Sequence, residues 1–273
     1  MRLQEDFQRM IRRIGATVTV PAVQEVLLPV QRAGVAKRDE FGFLVLADGS
    51  VGPFYTRLDD SFCNYSDDWL CGADPLALAL QLGDEQLQTS ALALGALNAI
   101  SQWMMRSAGF DPTASPAPDP MQQADRIGMV GYFAPLVERL RAQGHSITLI
   151  EKDPARVPPE LGIAVSSEPA ALMCCDYIIC TASTLINNTL QQVLDAASTG
   201  CTVNLLGPSA SCLPDPLFAA GVHLAGGVLI DDLAALRSAL QCGDSWGSCG
   251  RKYSLSAAGY PGLEQLLARI GQR

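Results

Sequence analysis

The chain has 273 residues, 48% of them hydrophobic and 17% charged, which suits one large or two smaller compact domains with a substantial core. A formal charge of −9 argues against a phosphate-backbone binder, because counterion release needs clustered Lys and Arg. Basic residues stand together only in isolated pairs such as Arg12-Arg13 and Lys37-Arg38, so nucleic acid is not an expected partner.

Leu3, Phe7, Met10, Ile11 and Ile14 share one helical face, so the chain opens on a predicted amphipathic helix. The charges in this opening stretch do not fit a secretion signal. The nine cysteines include no pair separated by two residues and read as reduced, mostly packed thiols in a cytoplasmic protein. Residues 17–20 and 26–30 are β-rich, and residues 41–46 and 51–55 flank Ala47-Asp-Gly-Ser50, a hairpin signal. Together they predict an antiparallel sheet of about three strands. Helices follow from Asp74-Pro75 to Leu82 and from Asp84-Glu85 to Gly109. The stretch from Gln86 to Met105 is nearly charge-free, yet it carries Gln86, Gln88, Thr89, Ser90, Asn98, Ser101 and Gln102. It therefore reads as a core or interface helix and not as a membrane span.

Prolines crowd residues 111–120 and forbid regular helix there. The expected division is an α+β unit over 1–110, a linker over 111–125 and an α/β unit over 126–273, the alternative being a long surface loop. Beyond the linker, strands at 127–130, 146–150, 177–180, 202–206 and 222–225 alternate with helices at 133–143, 185–197, 217–220 and 232–240, and a helix at 263–270 ends the chain. Such alternation predicts a doubly wound parallel sheet with helices on both faces, so the fold class is α/β.

Polar, low-propensity residues gather where these strands should end. Gly128 and Gly131, with Tyr132 beyond, form a glycine turn that admits an anion at the next helix start or serves only the turn. The full dinucleotide pattern of three glycines is absent. Glu151, about 20 residues further on, is either an acceptor for ribose hydroxyls or a solvated strand-end acid. Thr181, Thr184, Asn187, Asn188 and Thr189 crowd one strand-to-helix transition where a single cap would suffice. Gly207 and Ser209 form a turn or an oxyanion contact, and Gly226-Gly227 permits close backbone approach at the same edge. His145 reads as a surface residue and His223 as a strand residue, and no Cys or His spacing is that of a structural zinc site.

At these residues the chain resembles the family described as "Putative heavy-metal chelation". The resemblance is carried by Ile127-Gly-Met-Val-Gly-Tyr-Phe133, Glu151, Asp176 through Thr189, Leu206-Gly-Pro-Ser209, Ala219-Ala-Gly-Val222, Ala225-Gly-Gly227 and, earlier, Gly95-Ala-Leu-Asn-Ala99. It implies an enolase-capping-like first domain joined to a Rossmann-like second domain, with a site in the cleft between them and a role in heavy-metal chelation. Tyr132 stands where that pattern commonly has histidine, and Ala182 and Asn188 where it has glycine.

The functional expectation is a small anionic or metal-chelating ligand in that cleft. Gly131, Glu151, Thr184, Asn187, Thr189 and Ser209 would form one wall, and Asn98 or strand residues of the first unit would form the other. The alternative is an enzyme using NAD or S-adenosylmethionine, so a divalent metal and a nucleotide-type cofactor both stay open. A third reading makes residues 86–105 a homodimer face.

Overall fold

A computed structural model describes residues 2–29, 41–62, 65, 70–114, 117–118, 121 and 124–272. Its first helix, α1 (Arg2–Gly15), buries Leu3, Phe7, Met10, Ile11 and Ile14, the face its periodicity marks. Strands β1 (Val23–Leu27), β2 (Phe41–Leu46) and β3 (Val51–Tyr55) form an antiparallel sheet in that order. Residues 17–20 are not a strand: the Thr17 and Val18 amides bond back to the Ile14 carbonyl and close the end of α1. Val30 lies outside the described residues, as do Lys37-Arg38 and parts of the proline-rich stretch.

After α2 (Pro75–Ala79), the helix α3 (Leu87–Ser107) passes through the centre of the molecule. Leu44, Leu46 and Phe54 of the small sheet pack on it, and its residues from Ser90 to Gln102 are buried. Burial of Ser90 to Gln102 within the chain leaves this helix little surface for the expected homodimer face. The other face of the small sheet, Phe43, Val45 and Val51, packs on Leu236, Leu240 and Trp246.

The second sheet comprises β4 (Arg126–Val130), β5 (Ser146–Ile150), β6 (Ala164–Ser166), β7 (Tyr177–Thr181), β8 (Thr202–Leu206), β9 (Leu224–Ile230) and β10 (Gly250–Leu255). Its order is β10-β9-β8-β7-β4-β5-β6, with β10 antiparallel and every other pair parallel. The chain winds outward from β4 through β5 to β6, then returns to the other side of β4 and winds the opposite way. That reversal is the topology of a Rossmann-like sheet, and it opens a crevice beyond the carboxyl ends of β4 and β7. Helix α4 (Ala134–Ala142) covers one face through Val137 and Leu140. The other face is covered by α5 (Ser183–Ile186), α6 (Leu190–Ala196), α7 (Asp215–Ala219) and α9 (Leu263–Gly271), while α8 (Leu233–Cys242) reaches the small sheet.

Three expectations within this sheet are corrected. The helix over 185–197 is two helices, because Asn188 adopts φ 54 and interrupts the ladder. The strand at 222–225 runs instead from Leu224 to Ile230. Gly226 and Gly227 therefore lie mid-strand, where an added Cβ would fall 2.6 Å from the Leu206 side chain or 2.8 Å from Ser211 and Tyr253. These glycines admit neighbouring side chains, not a ligand.

The small sheet falls within residues 1–110 and the large one within 126–273, but one apolar cluster runs through both. Buried polar side chains of α3 reinforce it. Gln102 bridges the Val51 amide and the Ile230 carbonyl, Ser101 accepts the Leu213 amide, and Ser90 donates to the Ile186 carbonyl. Among the described residues no helix is long and apolar enough to cross a membrane.

Candidate functional site

Beyond the carboxyl ends of β4, β5 and β7 lies a cleft of about 480 Å³. Its far wall is supplied by Phe41, Tyr55, Arg57 and Leu58 at one end of the small sheet. Gly131 makes the turn after β4 at φ 86, and an added Cβ would lie 2.9 Å from Thr181 Cγ2. Glycine is thus required there both by conformation and by the nearness of β7.

Glu151 closes the end of β5 and is only 7% exposed. Its Oε2 accepts the Tyr132 amide at 3.1 Å and its Oε1 accepts the Asp153 amide at 3.1 Å, while the Arg156 guanidinium stands 3.8 Å away. The carboxylate therefore takes the very donor that a phosphate would use at a glycine turn. Helix α4 offers little replacement, since Pro135 in its first turn has no N–H.

The polar stretch after β7 is mostly bonded to itself. Thr184 donates to the Thr181 carbonyl at 2.6 Å, and the Thr181 and Ser183 hydroxyls are 3.1 Å apart. The Thr189 hydroxyl donates to Asn187 Oδ1 at 2.6 Å. With its oxygen so held, Asn187 presents its NH2 as the donor of this wall.

Gly131, Tyr132, Glu151, Thr181, Thr184, Asn187 and Thr189 thus line one cleft. The other expected residues stand elsewhere. Gly128 lies inside β4, where a Cβ would meet Leu172 at 2.7 Å, so it serves sheet packing. Asn188 is exposed and borders a shallow depression against α1. Gly207, at φ 125, follows β8 and gives its amide to the Gly226 carbonyl. Asn98 is fully buried and donates to the carbonyls of Pro53, at 2.7 Å, and Ser209, at 3.0 Å. It joins the two sheets from within, and Ser209, 1% exposed, is sealed beside it.

Sequence reasoning missed Phe41, Tyr55, Arg57, Lys152 and Arg156, all of which line the cleft. Lys152 carried a signal, because it follows the strand-end acid directly, and Arg156 comes five positions after that acid. Among the described residues neither Lys152 nor Arg57 forms an ion pair, whereas Asp153 spends Oδ1 on the Ala155 amide. The Glu151 carboxylate is turned inward onto main-chain donors, Asp153 caps the Ala155 amide from an exposed position, and Arg57, Lys152 and Arg156 line the opening, Arg156 beside Glu151.

A heavy-metal ion fits this donor set poorly. No three His, Cys, Asp or Glu side chains come together among the described residues. His145 Nδ1 pairs with the Ala124 carbonyl, and His223, just ahead of β9 and not within it, accepts the Val203 amide. Burial pushes the Cys180 and Cys212 thiols up to about 12 and those of Cys175 and Cys201 to about 11. They are therefore protonated, unlike the thiolates that bind metals.

The profile of the family described as "Putative heavy-metal chelation" matches residues 117–258. The chain belongs to this family. The match takes in the whole large sheet, and the Gly95–Ala99 stretch lies outside it. An uncharacterised protein of Methanocaldococcus jannaschii is 28% identical over 145 residues, 51% of this chain and 54% of its own length. The chain thus spans about half of that curated relative. Two solved structures from the family, both of unknown function, share the fold. The Pyrococcus horikoshii protein superposes with a TM-score of 0.68 at 18% identity, over 94% of this chain and 98% of its own. The Desulfitobacterium hafniense protein gives 0.67 at 19%, over 93% and 98%.

Proposed function

We propose that the cleft binds a small anionic ligand, and that any heavy metal the protein handles arrives as a chelate of that ligand. The observation that carries this reading is the sorting of charge at the opening. Both oxygens of Glu151 and one of Asp153 are committed to main-chain amides, while Arg57 and Lys152 line the same space without an ion pair among the described residues and Arg156 stands beside Glu151. Cations on low-dielectric walls concentrate anions there. The volume is also that of small-molecule sites, which run from roughly 300 to 1,000 Å³.

A nucleotide cofactor is the second reading, favoured by the strand reversal and by an acid at the end of β5. It is opposed by the occupation of the Tyr132 amide and by the absence of a third glycine. Mass spectrometry of the purified protein under native conditions separates the two, since a retained NAD or S-adenosylmethionine would displace the anion reading.

Thermal unfolding with citrate or inorganic phosphate is the direct test. At about 100 times its Kd, a ligand adds about 2.7 kcal/mol to stability, so the midpoint should rise by roughly 5 °C or more. The variant Arg57→Ala combined with Lys152→Ala should lose most of that rise, and divalent nickel or zinc without a chelator should produce none. An unchanged midpoint across all anions sinks the proposal.

A further inference from the structure

We infer that the anion held in the cleft is a planar aromatic one, seated among aromatic rings from both sheets with its charged group among Arg57, Lys152 and Arg156. This rests on the anion reading above and adds to it the chemical class.

The small sheet supplies the first ring pair. Phe43 and Phe54 are fully buried, as apolar strand residues should be. Phe41 and Tyr55, cross-strand partners at the end of the same hairpin, are only half-buried and line the cleft. Their rings meet edge to face, 5.6 Å apart and 65° inclined. Phe41 also meets Trp246 edge to face, 5.8 Å apart, so what this wall offers a guest ring is the part of Phe41 and Tyr55 that lines the cleft.

The large sheet supplies the second pair, Tyr132 and Phe133, also half-buried and lining the cleft. Phe133 occupies the N-cap of α4 and makes no side-chain cap hydrogen bond. Ser, Thr, Asp or Asn is the stabilising choice at such a position, and a ring there forgoes that stabilisation. Conflicts of this kind between local preference and the residue present gather at functional sites. The rings supply apolar stacking and the three cations supply charge, while the Asn187 amide can donate to a ring heteroatom. Citrate or phosphate would use only the charge.

Calorimetric titration of the whole chain with two aromatic anions, pyridine-2,6-dicarboxylate and adenosine 5′-monophosphate, and two non-aromatic ones, citrate and inorganic phosphate, tests the inference. Citrate is the most highly charged organic anion of the set at neutral pH, so a site working by charge alone favours it. At least one aromatic probe should bind about tenfold tighter than citrate, the scale expected from ring stacking. Phe133→Leu, which keeps apolar bulk against the sheet, should weaken that probe about tenfold and change citrate by less than about twofold. Tyr132→Leu serves as the second variant, and Arg57→Ala should weaken every probe. If citrate binds as tightly as both aromatic anions, or if the leucine variants weaken all probes alike, the inference is overturned and the anion reading survives. If none of the four binds, both are overturned.

Discussion

At residue scale, Glu151 shows how one side chain decides what a site can be. Its two oxygens satisfy the amides of Tyr132 and Asp153 in a nearly buried position. Removing them strands two donors, each costing roughly 1–3 kcal/mol when buried without a partner. Glu151→Ala should therefore lose about 2–4 kcal/mol in urea denaturation, and Glu151→Gln, with one acceptor left, about half of that. Equal stability of all three proteins would show that solvent reaches those amides. The cysteines sort just as sharply. Among the described ones, Cys71, Cys174 and Cys242 are exposed, while burial raises Cys180 and Cys212 from 9.0 to about 12. Alkylation at pH 8 followed by mass spectrometry should label the exposed three and spare Cys180 and Cys212 until the chain unfolds. Because their folded values are raised, the stabilisation they represent is fully present below pH 9.0 and is lost as the pH climbs from there toward 12. Alkaline unfolding should accordingly begin above pH 9, and a midpoint flat from pH 7 to 11 would contradict this.

At the scale of elements, the tightest contact is where β3 crosses α3. A Cβ on Gly52 would lie 1.9 Å from the Gly95 carbonyl oxygen and 2.3 Å from the Ala99 amide nitrogen. Backbone cannot give way as a side chain can, so Gly52→Ala should cost about 3 kcal/mol or more. A smaller loss would mean that strand and helix separate easily. The break between α5 and α6 turns on Asn188 at φ 54. Asn188→Gly should be close to neutral, whereas Asn188→Val should cost about 1–3 kcal/mol, because a β-branched residue is strained there. These two elements also mark how far the sequence could be followed. Strands such as Ile127–Val130 and Thr202–Leu206 were legible because apolar runs ended at glycine. β10 was not, since Gly250-Arg-Lys-Tyr-Ser-Leu255 is a polar edge strand held by its neighbour, and β6 has only three residues. The large-sheet wall of the cleft was legible as low-propensity residues at strand ends. The opposite wall was legible only as unnamed strand residues of the first unit, because Phe41, Tyr55 and Arg57 join it through tertiary approach and look locally like ordinary hairpin residues.

At the scale of the whole molecule, α3 makes the two sheets one structure. Its buried Asn98, Ser101 and Gln102 bond across to Ser209, Leu213 and Ile230, and one apolar cluster spans both units. Calorimetry should therefore show a single transition, with van't Hoff and calorimetric enthalpies in agreement. Two resolved transitions would mean that the units fold separately. A fragment carrying only residues 126–272 should fail to reach a native fold, because the sheet face that α3 covers would be bare. The closing helix has a consequence of its own. Leu266 and Leu267 of α9 complete the core around α3, and Glu264 pairs with Arg13 of α1. During translation, then, the earliest helices emerge long before the segment that shelters them, and their greasy flanks must wait in the open or under a chaperone until α9 clears the ribosomal exit tunnel.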